Sequence, residues 1–137
     1  MISKKDCNFI WKTMRQHEGF ISPLVKSYIR YLVDYSGYGY MVNKKAFSLW
    51  QQRCNRLFLY KFAVCKNCIG KGEGKKMMMQ LVEKAKEIKA EKINLFVKKD
   101  NERAIRFYEK EGFKMKGKSN RNIEMEMLIG GQDANAM

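Results

Sequence analysis

Residues Leu57–Glu91, LFLYKFAVCKNCIGKGEGKKMMMQLVEKAKEIKAE, decide how the rest of the chain is read. Leu57 to Val64 is an apolar run rich in Phe, Tyr and Val, which predicts a largely buried strand. Gly70, Gly72 and Gly74 follow, spaced by Lys71 and Glu73. An amphipathic helix is predicted next, with Met77, Met78, Leu81, Val82, Ala85 and Ile88 on one stripe. A strand, a glycine loop and a helix in this order aim free backbone N–H groups and the positive helix end at one spot. That spot attracts phosphate. Lys71, Lys75 and Lys76 add side-chain charge to it.

Spacing excludes two common phosphate loops. A Walker loop ends in Gly-Lys-Ser/Thr, and no Ser or Thr follows the lysines here. The dinucleotide fingerprint is G-x-G-x-x-G, whereas Gly70, Gly72 and Gly74 form G-x-G-x-G. Val64 to Met78 instead resembles motif A of the GNAT superfamily of N-acetyltransferases, in which a strand ends in Val and a loop Arg/Gln-x-x-Gly-x-Gly/Ala opens a helix. Gly72 and Gly74 fall on the required glycines, and Gly70 and Lys71 on the free positions. Leu95–Val97 followed by NERAIRFYEKEGF, Asn101 to Phe113, resembles motif B of the same family. Two departures stand out. Ile69 occupies the Arg/Gln position, and Glu73 replaces the usual aliphatic residue, where it suits a phosphate site only by pointing to water.

The resemblance implies an α/β (α+β by some schemes) GNAT fold. Its mixed, mostly antiparallel twisted sheet has six to seven strands with about four helices, splayed between the fourth and fifth strands. Residues 1–129 are expected to be a single domain, and residues 130–137, GGQDANAM, a polar, disordered tail. A first strand is expected around Ile2. Asp6 then caps a helix from Cys7 to His17, and Ser22-Pro23 starts a second, with Leu24, Val25, Tyr28, Ile29, Leu32 and Val33 as its apolar face. Strands are expected over Tyr38–Val42, Phe47–Arg53, Lys92–Lys98, Lys114–Lys118 and Ile123–Ile129, with a helix capped by Asp100 or Asn101 running to Glu111. The first two helices also raise a DNA-binding helix-turn-helix, but Lys26 and Arg30 sit opposite the apolar face as on any solvated helix.

The chain has 137 residues, 45% hydrophobic and 31% charged, which suits one globular core. No apolar run is long enough for a membrane span, and MISKKDCNF has no secretory h-region, so a cytoplasmic protein without membrane contact is expected. The net charge of +14 is spread over the chain and exceeds what coenzyme A alone calls for. It points to a second anionic partner, such as RNA or a ribosome-bound acceptor. Cys65-Lys-Asn-Cys68 is a C-x-x-C, but Cys7, Cys54 and His17 offer no second ligand pair, so no metal is expected and two free thiols are favoured.

The resemblance further implies acetyl-CoA as co-substrate, bound through Ala63, Val64, Cys65, Ile69, Gly70, Lys71, Gly72, Gly74, Lys75 and Asn101. A backbone N–H within Ala63–Cys65 would meet the thioester carbonyl, and Asn101 the pantetheine arm or its own helix as a cap. Tyr108 matches the motif B tyrosine expected to act as general acid. His17, Glu18, Phe20 and Ile21 are candidate acceptor contacts. The family's strand glutamate is missing, leaving Glu18, His17, Glu126, Tyr60 or a water chain as the base. The expected activity is direct acetyl transfer to a primary amine by a monomer or homodimer, with an acceptor carried on an anionic partner such as aminoacyl-tRNA or a ribosomal protein as one candidate. The alternative is a non-catalytic module of this fold that binds nucleic acid or a protein partner.

Overall fold

A computed structural model describes residues 1–17 and 19–129, so the expected polar tail and Glu18 lie outside the described residues. Helix α1 (Lys4–Arg15) and helix α2 (Lys26–Tyr35) precede strands β1 (Tyr38–Val42), β2 (Ala46–Arg53) and β3 (Arg56–Val64). Helix α3 (Glu73–Glu87), β4 (Lys92–Lys98), α4 (Glu102–Lys110), β5 (Lys114–Lys118) and β6 (Asn122–Leu128) complete the order. The six strands form one sheet in the order β1-β2-β3-β4-β6-β5. All pairings are antiparallel except β3 with β4.

Each face of the sheet carries its own apolar layer. On one side α1 and α2 bury Ile10, Met14, Ile29 and Leu32 against Phe47, Leu49 and Ala63. On the other, Met78, Leu81 and Ala85 of α3 and Tyr108 of α4 pack on Leu57, Leu59, Ile93 and Leu95. The alternation in β6 follows the sequence pattern, with Met125 and Met127 buried on the face covered by α3 and α4.

Two features of β3 shape the centre of the molecule. Its parallel ladder with β4 runs only from Arg56↔Lys92 to Leu59↔Leu95, although both strands continue beyond it. Its register against β2 shifts at the same place: Trp50 pairs with Leu59 and Leu49 with Lys61, leaving Tyr60 as a bulge. A bulge bends and twists a strand, and beyond it the sheet opens between β3 and β4.

The N-terminal segment corrects several expectations. Ile2 forms no strand, so the sheet has six strands and the splay lies between the third and fourth. Ile2 is instead buried by its backbone ties: its N–H donates to Asp34 Oδ1 at 2.9 Å and its carbonyl accepts from Arg30. Ser3, not Asp6, caps α1, its hydroxyl accepting from the Asp6 N–H at 3.0 Å. Asp6 lies in the first turn, where its charge suits the helix dipole. Ser22-Pro23 does not open α2, which begins at Lys26 after an extended Val25. Val25 and Tyr28 are accordingly exposed rather than on the packed face.

Candidate active site

The connection from β3 to α3 is built to leave amides free. A single 3-10 turn, Lys66–Cys68, is followed by Gly70 at φ +83° and Gly72 at φ +82°, a conformation that favours glycine. Among the described residues, no atom beyond the adjoining residues lies within 4 Å of where a Cβ would sit on either glycine. The N–H groups of Ile69, Gly70, Lys71, Gly72, Gly74 and Lys75 form no hydrogen bond to another described residue. They gather at the N-terminus of the fifteen-residue α3, with the Lys71 and Lys75 side chains exposed beside them. A concave row of unspent donors at a helix dipole fits a diphosphate, and the backbone supplies it despite Ile69.

Glu73 and Gly74 behave differently from the sequence reading. Glu73 does not point to water: it is buried, with its carboxylate 3.6 Å from both Lys45 Nζ and Lys76 Nζ. Two lysines therefore offset its charge beside the loop. A Cβ on Gly74 would meet the Phe107 ring at 3.1 Å and Val64 Cγ2 at 3.5 Å. The missing side chain at Gly74 thus lets α3 approach α4 and β3.

Next to this loop lies the open edge of β3. The Cys65 N–H donates to the Lys45 carbonyl at 2.7 Å, so it is not available to a thioester. Antiparallel pairs alternate between bonded and non-bonded residues. The Val64 N–H and carbonyl consequently face away from β2, toward the gap. His17 Nε2 lies 2.7 Å from that Val64 carbonyl, which ties the end of α1 to the end of β3. Ala63 is buried in the layer under α1 and α2. Cys65 and Cys68 are free thiols, and the Thr13 hydroxyl lies 3.8 Å from Cys65 Sγ.

Tyr108 is buried among Phe62, Phe107 and Phe113, with ring centroids 6.2, 5.4 and 5.4 Å away. Burial pushes its hydroxyl far above the ordinary tyrosine value, so the proton stays on the oxygen. The hydroxyl makes no hydrogen bond to a described residue, and Tyr108 lines the gap between β3 and β4. Asn101 also lines the gap, and its Oδ1 accepts from the Ala104 N–H at 3.3 Å, capping α4. Its amide nitrogen is left to bind elsewhere.

The gap widens into a cleft of about 860 Å³. Beyond the residues above, Phe20 and Ile21 line it from the α1–α2 connection and Asn120–Asn122 from the β5–β6 turn. Of the candidate bases, Tyr60 lines the cleft, but burial raises its pKa, as do Tyr28 and Tyr38. Glu126 is paired with Lys92 and Lys116 on the sheet and does not line the cleft. Sequence reasoning passed over Lys61 and Lys98, which line it on the α1 side. No helix among the described residues is long and apolar enough to cross a membrane.

A sheet that parts beside a glycine loop opening a helix is the architecture of coenzyme-dependent acetyltransferases, and comparison with known proteins agrees. The family model of the Acetyltransferase (GNAT) family matches residues 39–113, more than half of the chain. The chain belongs to the GNAT family. A protein of Bacillus subtilis subsp. natto (strain BEST195) named "Probable spermine N(1)-acetyltransferase" is 36% identical over 74 residues, 53% of this chain. The match spans 49% of that relative's length, about half. The fold is shared with the ribosomal-protein-S18-alanine N-acetyltransferase of Escherichia coli, at TM-score 0.75 and 18% identity, covering 93% of this chain and 90% of that one. It is shared too with the PaiA N-acetyltransferase of Thermoplasma acidophilum in complex with coenzyme A, at TM-score 0.73 and 16% identity, covering 93% and 95%.

Proposed function

We propose that this chain is an acetyl-CoA-dependent N-acetyltransferase that transfers the acetyl group directly to a primary amine in a ternary complex. The observation that carries this reading is the end of the β3–β4 ladder at Leu59↔Leu95, next to a loop with unspent amides. Family membership supports it over 39–113. In this reading the amides of Ile69, Gly70, Lys71, Gly72, Gly74 and Lys75 hold the diphosphate of coenzyme A, with Lys71 and Lys75 adding charge. The Asn101 amide nitrogen reaches the pantetheine arm.

The coenzyme supplies an activated acetyl thioester. The Val64 N–H, directed into the gap, donates to its carbonyl as negative charge develops there. Tyr108, held protonated by burial, gives its proton to the departing sulfur. The acceptor enters from the α1 side, past Phe20 and Ile21. His17 Nε2 must carry a hydrogen to bind the Val64 carbonyl, so only its Nδ1 could take the amine proton, directly or through water. The basic surface favours an acceptor carried on an anionic partner, such as aminoacyl-tRNA or a ribosomal protein.

Calorimetry with acetyl-CoA tests the reading, followed by thiol release on offering amines. Measurable binding and amine-dependent thiol release are expected. Binding without turnover on any amine would instead favour a non-catalytic module, and no binding at all would reject the coenzyme site.

A further inference from the structure

Lys61 follows the bulge at Tyr60 and pairs with Leu49, so it projects on the α1 and α2 face of the sheet, where the acceptor enters. It is half-buried, with its ammonium 4.8 Å from the Tyr60 ring centroid. Lys98 lines the same side, its Nζ donating to the Gly19 carbonyl at 3.1 Å. Neither lysine pairs with a carboxylate of a described residue, nor does Arg121 at the rim. Among the described lining residues Lys61, Lys98, Lys99 and Arg121 face a single carboxylate, Asp100. Among these described residues a polycation would meet four cations and one carboxylate. Of the aromatic rings that could hold a cation instead, the two on β3 that face the α1 side are taken: Arg53 lies 4.2 Å from the Phe58 ring and Lys61 covers Tyr60.

We infer that the acceptor carries a carboxylate or phosphate close to its amine, and that Lys61 and Lys98 hold this anion while the amine faces the thioester. The inference rests on the acetyltransferase reading and gives it a substrate class. It also bears on the missing glutamate of the central strand. Burial and the neighbouring Lys98 already lower the pKa of Lys61, and the same cations lower that of an ammonium bound beside them. The acceptor then gives its proton to Nδ1 of His17, directly or through water, without a strong base. Its lone pair forms the C–N bond as the C–S bond breaks. The sulfur leaves with the Tyr108 proton, which water restores.

Paired acceptors test this on the full chain: β-alanine against its amide, phosphoethanolamine against ethanolamine, and spermine. At least one anionic amine is expected to exceed its neutral twin in kcat/KM by roughly tenfold, the scale of a charge-assisted hydrogen bond. The two pairs separate a carboxylate from a phosphate. Lys61→Gln should bring the ratio near one, and Lys61→Arg should keep it. Equal rates within both pairs, or spermine as the best acceptor, would overturn the inference. If acetyl-CoA gives neither binding nor thiol release, the acetyltransferase reading fails by itself. Titration of β-alanine and phosphoethanolamine by NMR then decides the anion site: roughly tenfold weaker binding in Lys61→Gln supports it, and unchanged binding rejects it.

Discussion

His17 Nε2 donates to the Val64 carbonyl across 2.7 Å, joining the C-terminal end of α1 to the last residue of β3. A carbonyl only accepts, so the ring is fixed with hydrogen on Nε2. Long-range nitrogen–proton NMR should report that form at neutral pH; a ring with hydrogen on Nδ1 alone would contradict the contact. His17→Ala should lower stability to urea by about 1 kcal/mol, the usual net value of one hydrogen bond. It should also weaken acetyl-CoA binding, because the Val64 edge loses its support.

Gly74→Ala tests close packing rather than phosphate approach. The new methyl would press on the Phe107 ring, and overpacking of this kind costs about 1–3 kcal/mol. Phe107→Leu should relieve part of the loss in the double variant, visible as non-additive urea midpoints. Additive losses would place the strain elsewhere.

Tyr108→Phe should lower turnover by roughly one to two orders of magnitude, as expected for lost acid catalysis, with little change in acetyl-CoA affinity. The raised pKa also has a stability consequence. Above pH about 10 the unfolded tyrosine ionises while the folded one does not. The unfolded state then binds fewer protons, so stability falls as pH rises through that range. Tyr108→Phe should flatten this alkaline loss in pH-dependent unfolding, although Tyr40 and Tyr60, also raised, will leave some of it.

Glu73→Gln separates charge from fold. The carboxylate sits in the first turn of α3 between Lys45 and Lys76, both well exposed, so the stability loss should stay within about 1 kcal/mol. Removing a negative charge next to the loop should tighten acetyl-CoA binding by roughly fivefold at low salt. The gain should shrink as ionic strength rises. An unchanged dissociation constant at low salt would mean that the two lysines already cancel the charge.

Local signals made much of this architecture legible. The alternation of Met125 and Met127, the stripe of Met77, Met78, Leu81 and Ala85, and the cap at Asn101 each act within a few residues, and the structure has them where the pattern puts them. The bulge at Tyr60 was not legible, because the near-continuous apolar run Leu57–Val64 hides a change of phase. Leu57 and Leu59 share a face with Phe62, not with Lys61. The start of α2 was misplaced because Pro23 tolerates a loop as well as a first turn. Other features depend on partners far along the chain. The pairing of Glu73 with Lys45, the tie of His17 to Val64 and the packing of Gly74 on Phe107 arise only when the sheet brings these segments together.

The short β3–β4 ladder also has a mechanical consequence. Three strands on each side, one set from each half of the chain, meet along four residue pairs at a single end. Opposite this seam no ladder bond among the described residues joins the halves, and the packing of Phe62 against Phe107 and Tyr108 spans the mouth. A molecule seated in the wedge would brace the two halves against each other, so ligand binding should slow amide exchange across the whole sheet, including strands the ligand never touches.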